Sequence, residues 1–276
     1  MNSRPTTGWV DGRRSAAAWL RNRGLSYGDG VFRTLLKYNL ELVDLNDQIR
    51  KLCDDARALD LTWPASETLH RAAAACSRAL PDAAIKLVLV RCSGGRGYRP
   101  LTRTAQLIAT ADPLPAYPRR CWYRGARAFT ASIHLAEQPA LAGIKHLNRL
   151  EQVLAAAGWP DRADEGILCD MRGAPICGIR SNLFWAADGC LYTPDLSRCG
   201  VAGRMRERVL ELAQAQKLPV RIMRQSLPAL FSADEAFVTN SLIGIWPLRE
   251  LDHRRWPAPG PITRRLNAAL AHPWRG

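Results

Sequence analysis

Hydrophobic and polar positions change period several times along the chain, and each change predicts an element. Trp9 to Arg14 reads as strand, Asp11-Gly12 turn and strand, and 31–38 with 40–43 reads as a second hairpin around Asn39. From Leu45 onward the spacing becomes helical: Leu45, Ile49, Leu52, Cys53, Ala56 and Leu59 fall on one face, with Asp44 or Asn46 as caps. A second helix is expected over 66–80, followed by strand-like runs at 84–91 and 105–111. A glycine-rich loop, Ser93-Gly94-Gly95-Arg96-Gly97-Tyr98, separates those runs.

Residues 112–118 hold three prolines (Pro113, Pro115, Pro118), which cannot donate to a sheet ladder, so the stretch predicts a linker rather than a central strand. It divides the chain into units at 1–114 and 115–276. Beyond it come a strand near 127–132 and a helix over 148–157, with Leu150, Val153, Leu154 and Ala157 on one face. Hairpin turns are expected at 171–173 and at Asp188-Gly189, then a helix over 204–216 and β-rich sequence through 237–248. Strands and helices mixed in two blocks argue for an α/β first half and an α+β second half.

Composition narrows the class without deciding function. With 276 residues, 47% hydrophobic and 23% charged, the chain is an ordinary globular sequence, not a disordered, collagenous or coiled-coil one. No apolar stretch approaches the roughly 18–20 residues of a membrane helix, and the first 25 residues carry arginines instead of an apolar signal core, so a cytoplasmic protein is the expectation. The formal charge of +14 comes from only five lysines and 34 arginines, scattered rather than gathered in one tract. That spread, with no basic tract alternating with aromatics, reads as a solvated arginine-rich surface and does not decide between nucleic-acid binding and attraction of anionic substrates. The eight cysteines show no C-x-x-C pair and no matching histidine spacing, so no metal site is expected and the thiols should be reduced.

Three segments carry candidate chemistry. In Gly143-Ile144-Lys145-His146-Leu147-Asn148-Arg149-Leu150-Glu151-Gln152, a lysine in apolar surroundings precedes a helix. Burial disfavours its charged form and leaves an amine able to form an imine or act as a base, whereas His146 reads as structural. Cys199-Gly200-Val201-Ala202-Gly203-Arg204 runs into a helix, where free backbone N–H groups and the dipole favour an anion. Phe237-Val238-Thr239-Asn240-Ser241 is a strand end rich in donors.

Together with Gly24-Leu25-Ser26-Tyr27-Gly28-Asp29-Gly30-Val31-Phe32, Ser181-Asn182-Leu183-Phe184-Trp185 and Tyr192-Thr193-Pro194, these segments resemble the 4-amino-4-deoxychorismate lyase family, a branch of the class-IV aminotransferase-like, fold-type IV pyridoxal phosphate proteins. The resemblance runs from about Gly8 to Leu248 and is most specific around Lys145. It implies a two-domain, D-amino-acid and branched-chain aminotransferase-like fold whose second domain is a pseudo-barrel, a homodimer, and pyridoxal 5'-phosphate held between the domains. It implies a carbon–oxygen lyase of folate biosynthesis that eliminates pyruvate from aminodeoxychorismate to give 4-aminobenzoate.

By the same resemblance, Lys145 carries the cofactor as an aldimine, Val201 and Ala202 offer N–H groups to its phosphate, and Asn240 and Ser241 form a second phosphate-facing segment. Arg96 and Tyr98 are placed to clamp substrate carboxylates. Two positions depart from the family pattern. Cys177 stands where the family has the acid that pairs with the pyridine nitrogen, and Lys51 where it has an arginine reaching the phosphate. Other readings stay open: a cofactor-independent lyase on chorismate or a related enol ether with Lys145 as base, a transaminase, or a non-enzymatic binding protein.

Overall fold

The computed structural model describes residues 8–10, 13–15, 21–78, 80–92 and 97–273. In chain order, β1 (Gly8–Val10) pairs antiparallel with β2 (Arg13–Ser15), and the predicted Asp11-Gly12 turn between them lies outside the described residues. The short α1 (Arg23–Tyr27) leads into β3 (Gly30–Tyr38) and β4 (Glu41–Leu42), then α2 (Leu45–Ala58), α3 (Ser66–Ser77), β5 (Ala83–Arg91) and β6 (Ala105–Asp112). The strands form one antiparallel sheet in the order β4-β3-β5-β6. The helical face read from the sequence is the one that packs: Ile49, Leu52 and Ala56 of α2 join Leu69 and Ala73 of α3 against Leu35, Ile85 and Leu87. Each such aliphatic side chain removed from water contributes about 1.5–3 kcal/mol.

After α4 (Arg120–Tyr123) come β7 (Ala126–Leu135), α5 (Leu150–Ala157), β8 (Glu165–Asp170), β9 (Pro175–Gly178), β10 (Asn182–Ala187) and β11 (Cys190–Thr193). Then follow α6 (Arg204–Ala215), β12 (Val220–Ile222), α7 (Leu227–Phe231), β13 (Glu235–Asn240), β14 (Gly244–Leu251), β15 (Arg254–Arg255) and α8 (Pro261–Ala269). The nine strands from β7 to β15 form a second sheet. It closes on itself: β10, β13, β14, β7, β8 and β9 pair in turn, and Cys177 of β9 pairs with Asn182 of β10 to complete the ring. Alternation along β10 explains the two cores beside it. Leu183 and Trp185 face Trp246 and Val238 inside, while Phe184 faces out, stacked on Phe237 at 5.0 Å beneath α6 and α8.

Three expectations change. The apolar stripe of α5 does not face a core of this chain: Leu150, Val153 and Leu154 are exposed, and only Ala155 of that helix is buried. The proline-rich stretch is not a bare connector, because Tyr117 packs edge-on against Trp246 at 5.1 Å. The C-terminal α8, absent from the sequence reading, begins at Pro261 just after Gly260, a proline at the first helical position.

Candidate active site

The backbone around Lys145 is fastened on both sides. Phe32 donates its N–H to the Lys145 carbonyl (2.9 Å) and Leu147 donates to the Gly30 carbonyl (3.0 Å), tying the segment to the start of β3. Gly143 donates to the Gly200 carbonyl (3.0 Å) and accepts from Ala202 (2.9 Å), tying it to the loop before α6. Gly143 makes that crossing at φ 79°, a left-handed conformation that favours glycine. Ile144 enters the core of the first sheet. The lysine is thereby set where the first sheet meets the end of the barrel.

There a cavity of about 310 Å³ opens, at the lower end of the roughly 300–1,000 Å³ common for small-molecule sites. Its lining includes Phe32 and Arg33 from β3, Gln48 from α2, Tyr117, Lys145, Arg149 and Gln152. From the barrel end come Cys177, Arg180, Asn182, Val201, Arg204, Asn240 and Ser241. Five cationic side chains line it (Arg33, Lys145, Arg149, Arg180, Arg204), and no Asp or Glu does among the described residues. Such a chamber selects an anionic occupant.

Electrostatics fit that reading. Desolvation, with Arg33 and Arg149 repelling in turn, pushes the Lys145 amine down to about 8, against the opposing pull of Asp55. The Nζ lies 4.7 Å from the centre of the Phe32 ring. His146 is buried and bonded to Arg149, and desolvation pushes it down to about 4, so it stays neutral. Cys177 is buried against the cavity, where desolvation drives its thiol up to about 12 and keeps it neutral.

Around α6, the expected anion cradle is present in altered form. The N–H of Ala202 is spent on Gly143, so it is not free for a ligand, whereas Val201 lines the cavity. Gly203, the helix N-cap, contributes no side-chain cap, and its own N–H is taken by Asn182 Oδ1 at 3.1 Å. A Cβ there would meet that same oxygen at 2.3 Å, so a larger residue would require the Asn182 amide to shift. Beyond the cap, Arg204 and Met205 in the first turn of α6 line the cavity. Ser241 and Asn240 also line it, but their side chains are partly engaged. Ser241 Oγ accepts from Gln48 (2.7 Å), and Asn240 closes the turn by accepting from the N–H groups of Leu242 and Ile243.

The remaining sequence candidates lie apart. Lys51 is half-buried on α2, does not line the cavity, and is depressed by burial and by Arg33. Tyr98 is 87% exposed, its ring tilted at 60° to that of Tyr27 with centres 5.5 Å apart, and outside the cavity of this chain. Arg96 falls outside the described residues. The sequence reading gave no role to Arg33, Arg149, Arg180 or Gln152. Arg149 and Gln152 lie in the lysine segment it singled out, and Arg33 left a local signal, a charge on the inward face between Val31 and Leu35.

The sequence model of the amino-transferase class IV family matches residues 30–251. The chain belongs to that family. Among class IV relatives, the aminodeoxychorismate lyase of Vibrio harveyi is 32% identical over 95% of this chain and 98% of its own length. The branched-chain-amino-acid aminotransferase of Pseudomonas aeruginosa is 27% identical over 95% of this chain and 90% of its own. Among solved structures, the 4-amino-4-deoxychorismate lyase of Pseudomonas aeruginosa superposes with a TM-score of 0.86 at 44% identity, covering 95% of this chain and 97% of that one. The class IV fold is therefore the fold of this chain.

No helix among the described residues is long and apolar enough to cross a membrane, and no cluster of three or more His, Cys, Asp or Glu side chains is placed to hold a metal.

Proposed function

We propose that the chain is an aminodeoxychorismate lyase that uses pyridoxal 5'-phosphate and releases pyruvate and 4-aminobenzoate. The observation that carries the reading is a desolvated lysine amine inside a chamber lined by four arginines and, among the described residues, no carboxylate. Aminodeoxychorismate bears two carboxylates and the cofactor a phosphate, so both match the sign of the walls.

The residues fit the cofactor at two of its three ends. Lys145 supplies the amine for its aldehyde, and the loop Val201 with the first turn of α6 faces the cavity where a phosphate is favoured. Buried N–H donors without partners, Arg33 Nε, Arg149 Nε and Arg204 Nε, point to an anionic occupant. At the third end Cys177 offers a neutral thiol instead of an acid. When bound, the cofactor supplies an electron sink that makes the substrate's C4 proton acidic.

Lys145 Nζ takes that C4 proton. The C–O bond to the enolpyruvyl group breaks, and the proton passes to its methylene carbon, so pyruvate leaves and the ring becomes aromatic. Aromatisation contributes driving force, so the weaker sink beside Cys177 suffices for this elimination. Arg180 is placed to hold a carboxylate, stacked over Tyr117, Trp159 and Trp246 with its guanidinium 5.0–5.8 Å from the ring centres. Arg149 lines the same cavity and takes the second carboxylate. Phe32 and Tyr117 keep water from the amine.

The enzyme acts in the cytoplasm as a homodimer, in which the exposed Leu150, Val153 and Leu154 face of α5 is the apolar surface a second copy covers. Cys177 favours one second reading, an elimination from chorismate or a related enol ether without cofactor, with Lys145 as base. Incubation of the purified protein with aminodeoxychorismate, and separately with chorismate, tests both. Equal amounts of pyruvate and 4-aminobenzoate, lost after cofactor removal and restored by pyridoxal phosphate, are expected. Undiminished turnover without cofactor supports the second reading, and no product overturns both.

A further inference from the structure

The first sheet sends a charge inward where its pattern calls for an apolar side chain. Along β3 the inward positions are Val31, Arg33, Leu35 and Lys37, all buried. Lys37 has an outlet, since its ammonium donates to the carbonyls of Ser77 and Leu80 at 2.7 Å each. Arg33 does not. It is 2% exposed, one terminal nitrogen meets Asp55, the other lies 3.4 Å from the Ala202 carbonyl, and its Nε has no partner. Its side chain lines the cavity. A buried guanidinium N–H without an acceptor is the kind of donor that an anionic ligand completes.

What lies opposite identifies the anion. Ala202, touched by Arg33, comes two residues before the first residue of α6, a helix of twelve residues whose N-cap offers no side chain. The first turn of α6 and the Arg33 guanidinium thus converge on one part of the cavity from two separate elements. Convergent backbone N–H groups at a helix start, together with a planar cationic fork, suit a phosphate monoester better than a single carboxylate.

Of the other cations beside the start of α6, one is committed and one displaced. Arg204 is as buried, but Asp47, Glu207 and Glu211 hold its terminal nitrogens at 2.6–3.0 Å. Lys51 does not reach the cavity wall. Arg33 shares its one carboxylate, Asp55, with the backbone N–H of Lys145, so its charge is the least spent of the three.

We infer that Arg33, and not Lys51, is the cationic anchor for the phosphate of the bound cofactor. The inference rests on the pyridoxal phosphate reading and adds to it a residue of the opposite strand. In effect the positive charge has moved from the helix to the sheet, with Asp55 on α2 as its counter-ion.

Equilibrium binding to cofactor-free protein, followed by absorbance or fluorescence, tests it without using activity. The probes are pyridoxal phosphate and pyridoxal, which lacks the phosphate, and the quantity is the ratio of their dissociation constants. Arg33→Met should cut the wild-type preference for the phosphorylated form by about 10–100-fold, the worth of hydrogen bonds to a charged group, while leaving pyridoxal affinity little changed. Arg33→Lys keeps a charge opposite Asp55 and serves if the methionine variant does not fold; a smaller but clear loss of preference is expected from it. Lys51→Met should leave the preference within about threefold of wild type. An intact preference in the Arg33 variants, or its loss in Lys51→Met, overturns the anchor alone. Wild-type protein that binds neither probe overturns the cofactor reading and this inference with it.

Discussion

Asp55 accepts a hydrogen bond from the backbone N–H of Lys145 at 3.2 Å while the same oxygen pairs with the Arg33 guanidinium. One carboxylate on α2 therefore orients both the amine-bearing segment and the buried cation of the first sheet. Burial raises the Asp55 carboxyl, and Arg33 opposes that rise. Removing one partner of such a buried pair leaves the other charge uncompensated. Asp55→Asn should lower the unfolding free energy by about 3–5 kcal/mol in a denaturant titration, and weaken cofactor binding as the Lys145 segment loosens. A change below about 1 kcal/mol would mean that the pair is not the tie described here.

The depressed Lys145 amine gives a pH signature. In the folded chain the amine is charged below about 8 and neutral above, whereas unfolded it stays charged up to its ordinary 10.5. The rate at which cofactor-free protein takes up pyridoxal phosphate should rise about tenfold per pH unit and level off above pH 8. Because the unfolded chain binds the extra proton between 8 and 10.5, stability gains from this residue as pH rises through that window. Lys145→Met should accordingly be more stable than wild type at pH 7, with the difference shrinking toward pH 10. An uptake midpoint near 10.5 would place the amine in open water.

Substrate holding falls to Arg180. Arg180→Leu should raise KM for aminodeoxychorismate about 10–100-fold with kcat much less affected, the pattern of lost uniform binding. Steady-state kinetics checks this, and an unchanged KM would remove Arg180 from the site. Tyr98→Phe should leave both constants near wild type if the exposed ring makes no use of its hydroxyl.

Cys177 is assigned no covalent role. With its thiol held near 12, it stays un-ionised through neutral pH. Cys177→Ser should keep activity within about threefold between pH 6 and 9, and alkylating reagents should spare Cys177 in the folded protein. A loss of more than about tenfold, or rapid labelling followed by peptide mapping, would show a reactive thiolate there.

Much of the frame was legible because local patterns and tertiary burial agree. The period-2 run of β3, the helical face of α2 and the lysine between a strand-like segment and a helix all reappear where expected. The misses share a cause. Whether a residue meets a cavity depends on chain segments far apart: Arg33, Arg149, Arg180 and Arg204 converge from β3, the start of α5, the β9–β10 turn and α6, and none is adjacent in sequence. The apolar stripe of α5 shows a different limit. Periodicity reports that a face is to be covered, and not what covers it, and Leu150, Val153 and Leu154 are exposed in the single chain. Ala202 shows the limit of loop motifs, since its N–H was available by pattern and is consumed by Gly143 in the fold.

The most direct test uses the scarcity of lysine in this chain, five in 276 residues. Protein loaded with pyridoxal phosphate is reduced with borohydride, digested, and the cofactor's added mass located by peptide mass spectrometry. The account predicts one modified site, Lys145, with the visible absorbance of the loaded protein abolished in Lys145→Ala. Mass added at another lysine, or at none, would contradict it.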